Sequence, residues 1–467
     1  MAKNLTVGSP LRLIVLFTLP LLIGNLFQQA YAVSDAIVVG RLLGVDALAA
    51  VGASGSLQFL LFGFAIGCSA GLAIPVARAF GAQDLPGMRR AVARGVLISA
   101  VVALVITLIG TLGARTLLTW LGTPEELMPQ STTFLVVLFS GSFATVAFNY
   151  LSSVIRALGD SRTPLVFLII STVLNVVLVV VFIAVLGTGV GGAALATLIA
   201  QTVSVLLCLI LIWRRMPNLH LHRADWRLEM PKLRESTKLG LTLGFQMSII
   251  AIGAALLQFG INGLGTDAVA AFTAAMRVDQ VAVIPLATVG VAMTTYVAQN
   301  AGGRQWRRIL TGVRQALLLA MGMALVLGVA IFFGGTLMVR MFLGEGEPQV
   351  VDMAHRYLVI NAALYAILAV LFVIRHVIQG LGSTMAPTMA GVLELVARGV
   401  IGLFVVPHVG FIAVILAAPA AWVAALIPLL IAWRYQHRRL VVADREAAAR
   451  ALRDAEQADP HLQVCPA

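Results

Sequence analysis

The chain consists largely of long apolar runs, and twelve of them are long enough to be membrane-spanning helices. A helix that crosses the hydrocarbon core of a bilayer needs about 20 consecutive, mainly apolar residues. Of all residues, 60% are hydrophobic and 11% are charged, whereas a soluble globular protein carries about 25% charged residues. This excess of apolar surface predicts an all-α polytopic protein embedded in a lipid bilayer. The runs are 11–38, 48–77, 91–115, 128–152, 163–186, 189–213, 235–261, 268–298, 309–335, 351–378, 386–407 and 410–433.

The basic residues fall in a pattern that agrees with twelve spans. Lysine and arginine accumulate in the cytoplasmic connections of membrane proteins. If the N-terminus is cytoplasmic, most of the 32 lysines and arginines lie in alternate connections on that side. The largest basic connection is 214–238, and further basic residues follow the last run. Both termini are therefore predicted to be cytoplasmic.

Short matches within the chain indicate an internal duplication. "GVDALAA" (44–50) recurs as "GTDAVAA" (265–271), and "RALGDSRTP" (156–164) recurs as "QGLGSTMAP" (379–387), at shifts of 221 and 223 residues. Each half contains an even number of spans, so both halves enter the membrane from the same side. This predicts two pseudo-symmetric six-helix bundles, an organisation typical of secondary transporters. The predicted divisions are an N-terminal lobe 1–213, a cytoplasmic linker 214–238, a C-terminal lobe 239–434 and a cytoplasmic tail 435–467.

The sequence contains no signature of an enzyme or of a nucleic-acid-binding protein. It has no HExxH, GxSxG or phosphate-binding-loop motif, and its three cysteines are too far apart to suggest a metal site. The net charge of +12 is scattered between apolar runs, whereas a nucleic-acid interface requires a clustered basic patch. We therefore expect no catalytic residue, no cofactor, no metal and no nucleic acid. In the absence of a nucleotide site, the sequence favours transport driven by an ion gradient.

Asp35 is the acidic residue of the first run. A charge at membrane depth costs about 3 kcal/mol on insertion scales, so an intramembrane carboxylate is a functional hypothesis by default. No basic residue lies within one helical turn, and burial without a partner favours proton uptake by a carboxylate. Pro20 in the same run removes a backbone hydrogen bond and predicts a hinge. Alternatively, Asp35 only packs against another helix, or the helix ends earlier and leaves it in water.

Polar side chains also occur in the fifth and sixth runs. Asn175 lies in the fifth, and Thr197 and Gln201 lie one turn apart in the sixth. Taken singly, such residues usually form hydrogen bonds between helices. Together with Asp35 they suggest one polar pocket in the N-terminal half.

In the C-terminal half, four ionisable residues lie well inside the runs, away from their ends. Glu394 and Arg398 are spaced i, i+4, which favours a structural ion pair over a substrate contact. Arg277 and Asp279 are two residues apart and so project from different faces of their helix. Arg277 either lines a cavity or lies near the interface with its charged end in water.

Several segments resemble one family of transporters. The twelve spans, "LPLLIGNLFQQAYAVSDAIVVGRLLGVDALAAVG" from Leu19, and the repeated "ALGDSRTPLV" and "GLGSTMAPTMAG" closely resemble the multidrug and toxic compound extrusion (MATE) family. The likeness extends from about residue 10 to 435. It implies a prokaryotic antiporter of the cytoplasmic (inner) membrane that exports small cationic or amphipathic organic compounds by alternating access. Protons or sodium ions are exchanged for the substrate, and we expect a monomer.

The resemblance also implies roles for individual residues. Asp35 matches the ion-coupling carboxylate of the prokaryotic branch, and Pro20 matches the proline at which the first helix bends on protonation. Asn175 and Thr197 match the asparagine and threonine of the cation site. Val179 stands where the family commonly has a second aspartate. Because loss of a carboxylate weakens a sodium site, the sequence favours proton coupling, with sodium as the alternative.

A second function remains as an alternative at this stage. A flippase for a lipid-linked anionic precursor would share the architecture but would need several basic side chains in its cavity. Arg277 and Arg398 are the two candidates, and Glu394 is placed to neutralise Arg398. The exporter is therefore the favoured interpretation.

Overall fold

The computed structural model describes residues 4–227, 229–343 and 347–458, and the regular structure in these ranges is helical. The α-helices are α1 Pro10–Leu43, α2 Val45–Gly81, α3 Leu85–Leu112, α4 Ala114–Trp120, α5 Met128–Ser140, α6 Ser142–Ala157, α7 Arg162–Val180, α8 Gly189–Arg215, α9 Met230–Asn262, α10 Thr266–Gly302, α11 Trp306–Leu343, α12 Pro348–Ala363, α13 Tyr365–Gly380, α14 Met385–Val400, α15 Val406–Val409 and α16 Phe411–Ala458.

Twelve membrane spans can be assembled from these helices. Within the described residues, ten helices are long and apolar enough to cross a bilayer, and two helix pairs qualify as one bent span each. The pairs are α5 with α6, bent by 50°, and α12 with α13, bent by 53°. The predicted twelve-span fold is confirmed. The fourth and tenth spans differ from the prediction because each is broken in its middle, at Gly141 and at Leu364.

The backbone repeats the duplication that the sequence suggests. Gly44 between α1 and α2 has φ 89°, and Gly265 between α9 and α10 has φ 95°; these left-handed values favour glycine. Both α7 and α14 continue into a short π-helical segment, Val181–Val185 and Ile401–Val405. The same connection and the same irregularity therefore recur in both halves.

The buried apolar residues form two main clusters, one for each bundle. The first apolar cluster is built mainly by α2, α3 and α5 to α8, and the second by α10 to α14 and α16. The ends of two helices cross between bundles. Ile14 of α1 packs in the second cluster although Val39 packs in the first, and Leu239 and Leu243 of α9 also pack in the first. The exact lobe boundaries therefore stay a prediction.

The two bundles approach most closely at the end that carries the connection 216–229, which we call the linker end; the opposite end is the distal end. Gly81 of α2 faces the backbone of Gln299 of α10, and Gly302 of α10 faces the backbone of Arg78 of α2. A Cβ atom at either glycine would overlap backbone atoms of the other helix. We call this contact between α2 and α10 the glycine seam. It can close because both positions lack a Cβ atom.

The N-terminal segment 4–8 lies in the same seam. The Leu5 backbone N–H donates to Gln299 Oε1 at 2.9 Å, and the Leu5 side chain is buried. Arg308 of α11 donates to the carbonyl of Leu5 at 3.2 Å and to that of Gly8 at 2.8 Å. The segment is thus fastened to the second bundle.

The connection 216–229 is held against α3 by ion pairs. Arg89 lies 3.2 Å from Asp225, and Arg90 lies 3.0 Å from Glu229. Burial alone would raise the pKa of the Asp225 carboxyl, but the backbone N–H of His222 and the charge of Arg89 outweigh it and lower that pKa below its usual value. The carboxylate of Asp225 therefore stays charged at neutral pH.

The last helix is longer than predicted. A cytoplasmic tail was predicted for 435–467, and the first part of this segment continues the last membrane helix, since α16 runs without interruption from Phe411 to Ala458. The segment from 435 to 458 has no glycine or proline to end a helix. The last residues of the predicted tail, 459–467, lie outside the described ranges.

Toward the distal end, side chains at equivalent positions of α2 and α10 become exposed, and we call the space beside them the cleft. In the linker half, Gly67 and Gly71 of α2 face the backbone of α9. On the same face of α2, but nearer the distal end, the side chains are exposed. The equivalent face of α10 is exposed as well. The exposed residues that define the cleft are Gly52, Ser56 and Phe59 on α2 and Thr273, Arg277 and Gln280 on α10.

We expect Gly81→Ala to favour opening of the linker end. Overlap in a packed interface typically costs about 1–3 kcal/mol, which is roughly a ten- to hundredfold shift in the closed-to-open ratio. The readout is the labelling rate of Ser56→Cys in the cleft by a membrane-impermeant maleimide, in a chain whose native cysteines are replaced. If the two ends open alternately, as the family resemblance implies, the Gly81→Ala protein should label more slowly, because its cleft is closed more of the time.

Gly55→Ala is the matched control on the same helix. A Cβ at Gly55 has no heavy atom within 4 Å, so this variant should label like its parent. Equal labelling rates for the parent, the Gly81→Ala variant and the Gly55→Ala variant would show that the glycine seam does not control which end of the protein is open.

Candidate functional site

A hydroxyl group joins three helices in the N-terminal bundle. Thr197 Oγ1 of α8 accepts a hydrogen bond from Asn175 Nδ2 of α7 at 3.1 Å and lies 3.2 Å from the Tyr31 hydroxyl of α1. Its own proton goes to the Ala193 carbonyl at 3.2 Å. Asn175 and Thr197, which the sequence analysis placed in one pocket, are therefore in direct contact. Tyr31 was not predicted, although it lies one turn from Asp35.

Asp35 lies next to this contact on α1. Its Oδ1 atom is buried and has no hydrogen-bond donor among the described residues, and the same holds for Asn175 Oδ1 and Gln201 Oε1. These oxygens come from α1, α7 and α8, and each lies in or within about one turn of the Tyr31–Thr197–Asn175 contact. Buried acceptors favour a proton or a cation as partner. The four predicted residues thus lie at or beside this contact, with Asp35 one turn to its distal side and Gln201 one turn to its linker side. We call Tyr31, Asp35, Asn175, Thr197 and Gln201 the N-lobe pocket.

Position 179, one turn after Asn175, has no carboxylate, although the resemblance to the family leads one to expect an aspartate there. Val179 lies one turn beyond Asn175, and both side chains are 1% exposed. An apolar side chain therefore fills the place where a second acid would stand.

Pro20 lies within α1 between the linker end and the N-lobe pocket. The helix continues through Pro20, which is buried and has no N–H to donate to the preceding turn. A cavity of about 60 Å³ adjoins it. The other residues that line this cavity include Gly24, Asn25, Asn149, Pro164 and Leu168. A weakened turn beside free volume fits the predicted hinge, which stays a prediction.

In the C-terminal bundle, Glu394 is shared by two arginines. Its Oε1 lies 3.1 Å from Arg398 Nη2, and its Oε2 lies 3.0 Å from Arg375 Nη2 of α13. The Glu394 and Arg375 side chains are 9% and 5% exposed, and that of Arg398 is 16% exposed. The predicted Glu394–Arg398 pair is confirmed. Arg375 was missed because it lies close to the predicted end of the tenth span, where a basic residue normally reaches water.

Asp279 and Arg277 project from different sides of α10, as their spacing predicts. Asp279 Oδ1 accepts a hydrogen bond from the Tyr365 hydroxyl at 2.6 Å, so this carboxylate faces α13. Arg277 is exposed in the cleft and forms no hydrogen bond or ion pair with the residues that the structure describes. Exposure of Arg277 fits both predicted positions, lining a cavity or lying near the interface, so its role stays a prediction.

The two bundles differ in charge at equivalent positions. Arg375, Glu394 and Arg398 correspond, at the shift of 223, to Ser152, Ser171 and Asn175. The C-terminal bundle therefore contains an ion-paired cluster where the N-terminal bundle has small neutral polar groups. The unpaired carboxylate, Asp35, belongs to the N-terminal bundle.

Comparison with known proteins identifies the family. The MatE family model matches the chain twice, over residues 20–181 and 243–404. The chain belongs to the MatE family. This MatE protein is 30% identical over 386 residues to the probable multidrug resistance protein YpnP of Bacillus subtilis, a match that covers 82% of the chain and 85% of that protein. It is 29% identical over 434 residues to the probable multidrug resistance protein YoeA of the same organism, covering 90% and 92%.

A solved structure shares the fold of this MatE protein. It is an outward-facing conformation of a multidrug resistance MATE family transporter of the MOP superfamily, with a TM-score of 0.85 and 22% identity. The match covers 95% of this chain and 99% of that chain. The predicted family and fold class are confirmed. MatE proteins of this group are multidrug efflux transporters rather than enzymes, so this chain is a multi-pass membrane transporter for small organic compounds.

We expect Glu394→Gln to destabilise the protein strongly. It would leave two arginines without their carboxylate in the bundle interior, and breaking a buried ion pair costs about 3–5 kcal/mol. Asp352→Asn is the control, since Asp352 pairs with Arg356 at 2.8 Å while both side chains are more than half exposed. Thermal unfolding in detergent should show a clear fall in Tm for Glu394→Gln and almost none for Asp352→Asn. Equal melting curves for the two variants would show that the cluster is not a structural ion pair.

Proposed function

We propose that this MatE protein is an antiporter that exports organic cations from the bacterial cytoplasm in exchange for protons. The observation that carries the proposal is the buried Oδ1 of Asp35, which has no hydrogen-bond donor among the described residues. A charged Asp35 attracts a cation, and a protonated Asp35 does not. Because both ligands compete for one carboxylate, uptake of a proton can drive release of the substrate.

The proposed cycle uses the two ends of the bundle in turn. The linker end and both termini face the cytoplasm, so the closed seam at Gly81 and Gly302 with the distal cleft open is an outward-facing state. A proton that enters through the cleft neutralises Asp35 and changes the bend of α1 at Pro20, which releases the substrate outward. When the linker end opens, Asp35 meets the less acidic cytoplasm, loses its proton and binds the next cation.

Protons are the proposed coupling ion, and sodium is the alternative. A sodium ion requires several oxygen ligands, and Val179 supplies none where an aspartate would add one. The unpaired oxygens of Asn175 and Gln201 are neutral, so Asp35 supplies the charge of the N-lobe pocket. We propose that the protein acts as a monomer and needs no cofactor or resident metal.

The flippase alternative has less support than export of cations. A lipid-linked anion requires several free basic side chains in the cavity. Of the two candidates, Arg398 is bound to Glu394, and Arg277 has no ion-pair partner in the part of the chain that the structure describes. One arginine is a weak basis for binding a multiply charged headgroup.

The test is efflux of a fluorescent organic cation from proteoliposomes under an imposed pH gradient without sodium. Wild-type protein should transport, and Asp35→Asn should lose proton-driven transport because its side chain cannot exchange a proton. Asp46→Asn is the control, since Asp46 is an exposed aspartate in the first turn of α2. It should transport like the wild type.

Other outcomes would change the proposal in defined ways. Equal transport by wild type and Asp35→Asn would contradict the role of Asp35. Transport that begins only after sodium is added would replace the coupling ion. If neither a proton gradient nor a sodium gradient drives efflux of the cation by the wild type, antiport would be refuted.

A further inference from the structure

Arg277 of α10 lies at the same depth as Asp35 of α1. Asn25 of α1 donates to Thr288 of α10 at 3.0 Å and so fixes the register of the two helices. Asp35 is ten residues nearer the distal end on α1, and Arg277 is eleven residues nearer it on α10. At 1.5 Å per residue both lie about 15–17 Å from the Asn25–Thr288 contact. Eleven residues are close to three full turns, so Arg277 shares the face of Thr288 that looks toward α1.

The repeat shows that packing does not require a charge at this place. The position equivalent to Arg277 on α2, at the shift of 221, is Ser56, which is also exposed in the cleft. A small hydroxyl thus suffices in one bundle. In the other bundle the same place carries a guanidinium.

Neighbouring carboxylates do not neutralise Arg277. Asp279 accepts a hydrogen bond from the Tyr365 hydroxyl at 2.6 Å on another face of α10, and Glu394 lies between Arg375 and Arg398. Within the described part of the chain, Asp35 of α1 and Arg277 of α10 therefore both lack an ion-pair partner, and they lie at equal depth. An unpaired charge inside a membrane protein indicates a site for a ligand.

We propose that Arg277 binds an acidic group of the substrate, so that the protein prefers amphipathic zwitterions to simple cations. The cationic group of such a molecule lies toward Asp35, and its carboxylate lies against Arg277. A guanidinium suits this task because its planar set of donors binds a carboxylate through two hydrogen bonds. The inference rests on the proposed function, since Asp35 supplies the opposite charge.

The test compares two forms of one dye. A xanthene dye with a free carboxylic acid is a zwitterion, and its ethyl ester is a cation of nearly the same shape. Binding of both is measured by fluorescence anisotropy with detergent-solubilised protein at neutral pH. The variants are Arg277→Gln, which removes the charge, and Arg277→Lys, which keeps it. Arg340→Gln is the control because Arg340 is an exposed arginine near the distal end of α11.

Wild type and Arg340→Gln should bind both dyes, and should bind the acid more tightly than the ester. Arg277→Gln should weaken binding of the acid by about tenfold or more, because a hydrogen bond to a charged group contributes about 1.5–3 kcal/mol, and should leave the ester unchanged. Arg277→Lys should retain part of the affinity for the acid. Equal weakening of both dyes, or no effect on either, would refute the zwitterion site while ester transport in proteoliposomes still supports the antiporter. Failure of the wild type to bind or transport either dye would refute the proposed function itself.

Discussion

The cost of a charge in an apolar bundle governs the arrangement of the polar groups in this protein. Glu394 is held by two arginines, and Asp279 accepts a hydrogen bond from Tyr365, so these carboxylates have partners inside the C-terminal bundle. Truncating such a partner leaves an uncompensated charge, which makes the cluster structurally important. Asp35 and Arg277 lack comparable partners among the described residues. A proton or a cationic group of the substrate can therefore match the charge of Asp35, and an anionic group can match that of Arg277.

Because the chain is duplicated, equivalent positions of the two bundles can be compared directly. Gln83 and Arg304 both adopt left-handed backbone conformations, with φ 59° and 55°, although neither is a glycine. The two halves have therefore kept the same sharp connection after α2 and after α10. Side chains at matched positions have diverged, as Asn175 and Arg398 show. A common backbone with different charges gives one bundle a group that can titrate and the other a fixed ion cluster.

The parts of the fold that follow from hydropathy were predictable, because lipid requires long apolar helices with internally satisfied backbones. The Glu394–Arg398 pair was predictable for a similar reason, since an i, i+4 spacing fixes the geometry within one helix. The ion pair between Arg375 and Glu394 was not predictable, because a contact between α13 and α14 depends on how the helices pack. The break at Leu364 also has no glycine or proline at its centre. Tyr31 could have been found by searching one turn on either side of Asp35 for a hydrogen-bonding group.

The net charge of the substrate decides which driving forces the transporter can use. A monovalent cation exchanged for one proton moves no net charge, so the membrane potential contributes nothing and a tenfold proton gradient supplies about 1.4 kcal/mol. A zwitterion exchanged for one proton moves a full charge inward, and 100 mV then adds about 2.3 kcal/mol. The sum of about 3.7 kcal/mol supports a substrate gradient of roughly 500-fold instead of about tenfold. If Arg277 holds the acidic group of the substrate, this chain can therefore use the whole proton-motive force with the single carboxylate of Asp35, without the second acid that Val179 replaces.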